Sequence, residues 1–224
     1  MSKLSTRLEM VASLVPNGVN CGDIGADHGY LIINLISSNR IIKGYACENK
    51  IGPYSRLKNN VSSANLLNKI SVDLSSGIRT IPSDINCVII AGMGGDTVCS
   101  IINESLDKLI NIDYFIVSSH SKMDEVRYLL TKLGYYIENE KTCFDMNQFY
   151  ECTLFKKGRK NYSEIELKYG PILLKNKDKN LFNKLKEKVI FNQKLMKNDN
   201  IPIKRLDSIS KENNKINEIL KILE

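Results

Sequence analysis

The run Cys21-Gly22-Asp23-Ile24-Gly25-Ala26-Asp27-His28-Gly29-Tyr30 constrains this chain more than any other segment. It follows a short apolar stretch and precedes Leu31-Ile32-Ile33, which is typical of the first turns of a helix. A strand, a turn of small residues and a helix in this order form a cradle for a nucleotide-like ligand in open α/β sheets. The run therefore predicts an α/β fold with a ligand site at this turn.

The polar residues of the turn indicate which ligand it takes. Dinucleotide enzymes use G-x-G-x-x-G, whereas here Asp23 stands first and Asp27 and His28 crowd the turn. A carboxylate repels a phosphate but helps to hold a cationic ligand that has none. S-adenosylmethionine is such a ligand, because it carries a sulfonium and an ammonium and no phosphate. The alternative, a turn without a ligand, leaves three polar side chains poorly explained by packing.

Strand and helix patterns alternate after an amphipathic N-terminal helix that is marked by Leu4, Leu8, Val11 and Val15. This order predicts a parallel sheet with helical crossovers, closed by an antiparallel pair where the last two strands follow without a helix between them. The predicted strands are residues 19–23, 43–48, 70–74, 87–91, 114–117, 135–140 and 150–155. The predicted helices between them are residues 30–37, 53–64, 96–109 and 122–133.

From Ser163 onward the pattern changes to helical heptads without strand signals. Two heptad segments joined by a short break at residues 198–202 predict an antiparallel helical hairpin, and a coiled coil between two chains is the alternative. We expect two domains, residues 1–160 and 161–224. The heptad positions are Phe182, Leu185, Val189, Asn192 and Met196, and then Leu206, Ile209, Asn213, Ile216, Leu220 and Leu223.

The excess of basic over acidic residues lies entirely in the last third of the chain. The net charge is +7, but residues 156–224 hold 18 Lys and Arg against 9 Asp and Glu, which leaves residues 1–155 slightly acidic. This asymmetry favours a polyanionic partner, with nucleic acid first. The alternative is compositional drift, since the whole chain is rich in Lys, Asn and Ile.

The cysteines and the hydropathy pattern favour a reduced, cytoplasmic protein. The six cysteines are scattered without C-x-x-C spacing, so we expect no structural metal site. No apolar run is long enough to span a bilayer and no signal-peptide pattern is present, so we expect no membrane partner.

The ends of the predicted strands carry further candidate ligands. Glu48 ends the second strand, where a carboxylate is placed to accept both hydroxyls of a ribose. Ser76 lies in the turn after the third strand, where it is placed to hydrogen-bond an adenine edge. Gly92, Met93 and Gly94 follow the fourth strand and predict a backbone floor under the ligand and its target, with a tight turn of no function as the alternative.

The run from Asp23 to Tyr30, together with Gly52-Pro53, Ile90-Ala91-Gly92-Met93-Gly94-Gly95 and Tyr150-Glu151, resembles the bacterial tRNA (adenine-22-N1)-methyltransferase family, TrmK. The resemblance extends along the whole chain and implies a class I methyltransferase domain of Rossmann-like architecture, S-adenosylmethionine as donor and tRNA as substrate. It also implies that Asp23, Gly25 and Glu48 hold the cofactor.

The same resemblance implies that Asp27, His28 and Tyr30 face the transfer point as the catalytic group. Asp27 is the candidate for stabilising positive charge or binding the exocyclic amine of adenine. His28 either orients the substrate or caps the helix, and Tyr30 either stacks on a base or lies in the core. We expect His120 to be a surface-loop residue rather than a catalyst.

Two segments depart from the family pattern and keep other functions open. Ser75-Ser76-Gly77 replaces Gly-Asp-Gly after the third strand, and Val117-Ser118-Ser119-His120 replaces Leu-Gln-Pro after the fifth. The exocyclic-amine motif Asn/Asp-Pro-Pro-aromatic is absent after the fourth strand, which favours other acceptors. The alternatives are methylation of another RNA base, a protein or a small molecule, and an RNA-binding protein that has lost catalysis. We expect a monomer.

Overall fold

A computed structural model describes residues 4–198 and 201–224. Its seven strands form one sheet in the order β3-β2-β1-β4-β5-β7-β6. Neighbouring strands are parallel from β3 to β5, and β7 runs antiparallel to both β5 and β6. This arrangement confirms the predicted Rossmann-like sheet. The strands are β1 Val19–Ile24, β2 Ile41–Glu48, β3 Ile70–Leu74, β4 Cys87–Met93, β5 Tyr114–Ser119, β6 Tyr135–Asp145 and β7 Gln148–Lys157.

Helices cover both faces of the sheet, because alternate strand residues bury their side chains on opposite sides. One apolar cluster joins the first three helices to residues such as Cys21 and Ile89, and a second joins α4 and α5 to residues such as Val88 and Ile90. The helices are α1 Thr6–Leu14, α2 Tyr30–Ser37, α3 Ile51–Ser63, α4 Gly95–Asn103, α5 Met123–Lys132, α6 Glu164–Tyr169, α7 Pro171–Lys175, α8 Lys179–Leu195 and α9 Ile203–Leu223.

The helix predicted at residues 96–109 is present but its predicted end is wrong, because α4 ends at Asn103 and a separate 3-10 segment covers Leu106–Asn111. The chain leaves helical geometry at Ser105, whose φ is −138° and ψ is 34°. The antiparallel pair is also longer than predicted. Met146 and Asn147, with φ of 48° and 62°, connect β6 to β7 in a two-residue turn that lacks the glycine by which such turns are usually recognised.

The helices α8 and α9 pack against each other as the predicted hairpin. Of the predicted break, Asp199 and Asn200 lie outside the described residues. Two buried polar side chains interrupt the apolar seam: the amide of Asn192 donates to the side-chain oxygen of Asn213 at 2.9 Å and to a carboxylate oxygen of Glu212 at 2.9 Å. A polar pair in an otherwise apolar seam favours one register over others.

A buried ionic cluster joins the sheet to the helical segment that follows it. Arg127 of α5, which is 0% exposed, donates through Nε to Glu140 of β6 at 2.8 Å and through Nη2 to Glu151 of β7 at 3.3 Å. Glu140 also accepts from the hydroxyl of Thr153 at 3.2 Å and from the N–H of Ile172 at the start of α7 at 2.9 Å. We call Arg127, Glu140, Glu151 and Thr153 the Arg127 cluster.

Neither a membrane span nor a metal cluster is found in the part of the chain that the structure describes. No helix there combines the length and the apolar character needed to cross a bilayer. No group of three or more His, Cys, Asp or Glu side chains is placed there to hold a metal ion.

Candidate functional site

Two adjoining cavities open at the carboxyl ends of β1, β2 and β4, where open α/β sheets bind their ligands. The Glu48 cavity, of about 390 Å³, is lined by Glu48, Ser76, Met93 and Ile101 among others. The Asp23 cavity, of about 240 Å³, is lined by six polar or aromatic side chains and by small residues of the turn. Those six are Arg7, Asp23, Asp27, His28, Tyr30 and His120. Gly25, Ala91 and Gly92 line both cavities.

The turn between β1 and α2 is tied to the end of β2 by backbone hydrogen bonds. The N–H groups of Gly25 and Ala26 donate to the carbonyl of Cys47 at 3.0 and 3.1 Å, and the N–H of Asp27 donates to Oε1 of Glu48 at 2.6 Å. Gly25 has a φ of 74°, and a Cβ there would collide with the methyl group of Met93. The turn thus needs glycine at this position, and Glu48 has one carboxylate oxygen engaged within the protein.

Asp23 is a buried carboxylate in an acidic environment. It is 4% exposed. Burial raises its pKa to about 7, repulsion from Glu48 adds to the rise, and the guanidinium of Arg7 acts in the opposite direction. The charged form of Asp23 is therefore costly without a further cation. Asp23 lines the cavity that also contains Arg7, whereas Glu48 lines the adjoining one.

The structure brings Asp27, His28 and Tyr30 together on one wall of the Asp23 cavity. The carboxylate of Asp27 is exposed and lies 3.7 Å from Nε2 of His28 and 3.7 Å from Nη2 of Arg56. The rings of His28 and Tyr30 are stacked, with centroids 5.2 Å apart and planes 2° apart. The helix α2 has Gly29 at its N-cap and no side-chain cap, so the capping alternative for His28 is wrong. Tyr30 is 44% exposed and is not a core residue.

Gly92 and Gly95, which lie at and just after the end of β4, are needed for different structural reasons. Gly92 has a φ of 92° and lines both cavities, and a Cβ on it would lie 3.1 Å from Nη1 of Arg7. Gly95 is required by the protein itself, since a Cβ there would lie 2.6 Å from the carbonyl oxygen of Lys122. Gly94 is the N-cap of α4 and lies beside Ser121, outside the residues that line the two cavities.

The segment after β5 contributes to the site through His120. This residue is exposed as expected, but it also lines the Asp23 cavity. Its ring meets the ring of Tyr150 edge to face, with centroids 5.8 Å apart. Arg7 lies over the other ring of this pair, with Cζ 5.5 Å from the centroid of Tyr150. Arg7 and His120 thus line the cavity beside the acidic turn, and Tyr150 contacts both of them.

Arg7 is the site residue that sequence reasoning missed. Its Nη1 and the hydroxyl of Ser118 are the buried side-chain nitrogen and oxygen atoms without a hydrogen-bond partner in the described part of the chain. A buried polar atom without a partner costs free energy, so a ligand that supplied acceptors would be stabilised here. The spacing of Arg7 could have indicated its burial, because it stands three residues after Leu4 and four before Val11, on the apolar face of α1.

The lining residues fit S-adenosylmethionine better than a phosphate-bearing cofactor. Both cavities contain a mostly buried carboxylate, Asp23 or Glu48, and Arg7 is the only lysine or arginine among the described residues that line them. A volume of about 390 Å³ lies within the usual range of small-molecule sites. The second oxygen of Glu48 remains to accept from a ligand hydroxyl, and Gly25 and Gly92 leave the backbone open to close approach.

The fold and the paired cavities define a methyltransferase domain of class I. A family model described as a methyltransferase domain matches residues 4–153. The chain belongs to the tRNA (adenine(22)-N(1))-methyltransferase family, TrmK, since it is 31% identical to the Bacillus subtilis enzyme of that name over 183 residues, which are 79% of this chain and 77% of that one.

Solved structures of similar proteins support the same assignment. The Streptococcus pneumoniae protein Sp1610, solved in complex with S-adenosyl-L-methionine, is 29% identical, with a TM-score of 0.90 over 97% of this chain and 100% of that one. TrmK from M. capricolum, solved with S-adenosyl-homocysteine, is 25% identical, with a TM-score of 0.89 over 100% of both chains.

Proposed function

We propose that this protein transfers a methyl group from S-adenosylmethionine to N1 of an adenine in tRNA, at position 22 as in the name of its B. subtilis relative. One observation carries the proposal. The Glu48 and Asp23 cavities meet at Gly25, Ala91 and Gly92, none of which has a side chain larger than a methyl group. A donor in one cavity and an acceptor in the other therefore come into direct contact.

The Glu48 cavity is the proposed cofactor site. Glu48 accepts from the ribose with its free oxygen, Ser76 borders the adenine, and Gly25, Gly92 and Met93 form the wall beside the sulfur. When bound, S-adenosylmethionine supplies an electrophilic methyl group. Asp23 stabilises the cationic part of the cofactor from the neighbouring cavity, which also relieves the cost of its own ionisation. Gly94 contributes by capping α4 rather than by lining the site.

The Asp23 cavity is the proposed site for the target adenine. N1 of neutral adenine already has a free lone pair, so the residues position the base and need not deprotonate it. The stacked rings of His28 and Tyr30 offer a flat surface for a base that has left its stack. The carboxylate of Asp27 accepts from the exocyclic amine and stabilises the positive charge that develops on the ring.

The basic hairpin is the proposed contact surface for the rest of the tRNA. In this division of work, residues 1–160 carry the chemistry and residues 161–224 hold the polyanion. We propose that the protein acts as a monomer in the cytoplasm, where its substrate is found.

Label transfer from S-adenosylmethionine to an unmodified tRNA transcript, followed by mapping of the methylated nucleoside, tests the function. We expect 1-methyladenosine from the wild-type transcript and none when the target adenine is replaced by guanine. Binding of S-adenosylmethionine in a calorimeter without any transfer would instead favour a protein that has lost catalysis. Transfer to another base, a protein or a small molecule would overturn the choice of substrate.

Asp27→Asn tests the catalytic assignment. Asp27 has a φ of 48°, which asparagine tolerates better than alanine does, so this variant removes the charge with little backbone strain. We expect kcat to fall by about 10- to 100-fold while the affinity for S-adenosylmethionine is kept. Exposed Asp96, which pairs with Lys122 at 2.8 Å, provides the control variant Asp96→Asn with unchanged kcat. Normal turnover by Asp27→Asn would remove Asp27 from the mechanism.

A further inference from the structure

A third cavity, of about 200 Å³, lies between the end of β5 and the hairpin helix α8. Its apolar part is formed by Phe149, Leu181 and Leu185. His120 lines both this cavity and the Asp23 cavity, so the two are neighbours around one side chain. We call it the Lys184 cavity, after the lysine that reaches into it from α8.

Lys184 is a cation held against an apolar wall. Its Nζ lies 4.1 Å from the centroid of the Phe149 ring, and it forms no ion pair with any residue that the structure describes. Lys184 is exposed overall, but partial desolvation of its ammonium group lowers its pKa, and Glu151 opposes that change. Lys188 differs, because it lies one turn further along the same helix and pairs with Glu212 at 3.7 Å. An anion placed beside Lys184 would replace the lost hydration of its ammonium group.

The other charged groups of the cavity are of both signs. Lys168 adds a second exposed cation, and Lys122 is paired with Asp96 and Glu125. Two carboxylates face the cavity. Glu151 pairs with Arg127 at 3.3 Å but shares it with Glu140 at 2.8 Å, and Asp124 lies in the first turn of α5.

We propose that the Lys184 cavity binds a backbone phosphate of the RNA next to the nucleotide whose base enters the Asp23 cavity. The proposal rests on the proposed function for the identity of the polyanion. The volume suits a phosphate and part of its sugar, and the shared His120 places that phosphate beside the base. Lys184 and Lys168 supply the positive charge, and the ring of Phe149 lies beside the ammonium group of Lys184. The site thus fixes the register of the RNA relative to the transfer point.

The test is the salt dependence of tRNA binding, measured by fluorescence anisotropy for the wild type, Lys184→Met and Lys184→Arg. Methionine keeps the contact with Phe149 but removes the charge. We expect Lys184→Met to weaken binding about tenfold at low salt and to reduce the slope of log K against log salt by about 0.7–0.9, as for the loss of one phosphate contact. Lys184→Arg should recover most of the affinity. The affinity for S-adenosylmethionine should be unchanged in both.

Lys186→Met is the matched control, since Lys186 is, like Lys184, an exposed lysine on the same helix, but lies outside the cavity. We expect a smaller loss of affinity than for Lys184→Met. An unchanged slope in Lys184→Met, in a protein whose thermal unfolding matches the wild type, would overturn the phosphate site, and weaker binding without a slope change would indicate a stacked base on Phe149 instead. If Lys184→Met is unstable, Lys184→Gln is measured in its place. The slope is measured without turnover. A wild type that binds tRNA but transfers no methyl group would therefore contradict the proposed function and leave the phosphate site standing.

Discussion

Two regions of this protein bury charged side chains, and they differ in how completely those charges are satisfied. In the Arg127 cluster, the fully buried guanidinium bonds to Glu140 and Glu151, and Glu140 accepts from two further donors. At the Asp23 cavity, burial raises the pKa of Asp23 to about 7, and Nη1 of Arg7 has no hydrogen-bond partner among the described residues. A complete set of partners is typical of a structural element, whereas missing partners are typical of a place that awaits a ligand.

The largest expected effect comes from removing Arg127, whose buried charge has a complete set of partners. Arg127→Met leaves Glu140 and Glu151 without their cation, and removing one partner of a buried pair costs about 3–5 kcal/mol. The free energy of unfolding, measured in urea, should fall by that amount. The exposed pair of Lys211 and Asp207 is the comparison, since Lys211→Met should change stability by less than about 1 kcal/mol. A loss of similar size in both variants would contradict the distinction.

The next largest expected effect is the pH dependence of folding stability that results from the raised pKa of Asp23. The unfolded chain loses this proton near the ordinary value of 3.8, while the folded chain keeps it to about 7. The folded state therefore binds more protons in that window, and the free energy of unfolding falls as pH rises from about 4 to about 7, by at most about 1.4 kcal/mol per pH unit.

Asp23→Asn should lack this decline, because it is neutral at every pH. Asp84→Asn is the control: Asp84 is exposed, and its hydrogen bond with Lys43 lowers the pKa of Asp84, so its contribution is lost as pH falls. The control should keep the wild-type decline. Unfolding curves between pH 4 and 8 that coincide in shape for the wild type and Asp23→Asn would show that Asp23 does not titrate there.

The smallest of these effects concerns Arg7. Arg7→Met removes both a donor from the Asp23 cavity and the cation that lowers the pKa of Asp23. We expect kcat/KM for tRNA to fall about tenfold, as for the loss of one charged hydrogen bond, and the pH profile of kcat/KM to move to higher pH. Arg7→Lys should recover the pH profile but only part of the rate. Unchanged rate and profile in Arg7→Met would assign Arg7 to packing.

The sheet was predictable because its signals are local. The predicted bounds of α2 and β3 agree with the structure, since apolar runs bounded by turn residues mark both. The sequence analysis did not predict α6, but its first residue was predictable, because Ser163 and Glu166 form a capping box. By contrast, no comparable sequence pattern marks the end of α4 at Asn103.

The site was predictable only where one turn of the chain contains it. Asp23, Gly25 and Asp27 lie in a single run, and the structure keeps them together in one cavity with Arg7, while Glu48 lines the adjoining cavity. Arg7 lines this cavity and lies over the ring of Tyr150, which is far from it in sequence. The Arg127 cluster is similar, since Arg127 also donates to the carbonyl of Leu167, 40 residues away. Pairings at such separations depend on the folded topology.

The two buried asparagines of the hairpin set where its charge lies. If α9 slipped by one heptad along α8, its basic side chains would move by about 10 Å, since a helix rises about 1.5 Å per residue. That is longer than the distance over which salt screens charge, about 8 Å at physiological ionic strength. A slip would therefore present a polyanion with a different field. The amide contact between Asn192 and Asn213 lies in the interior of the hairpin. By fixing the register of the two helices, it determines where the lysines lie on the outside.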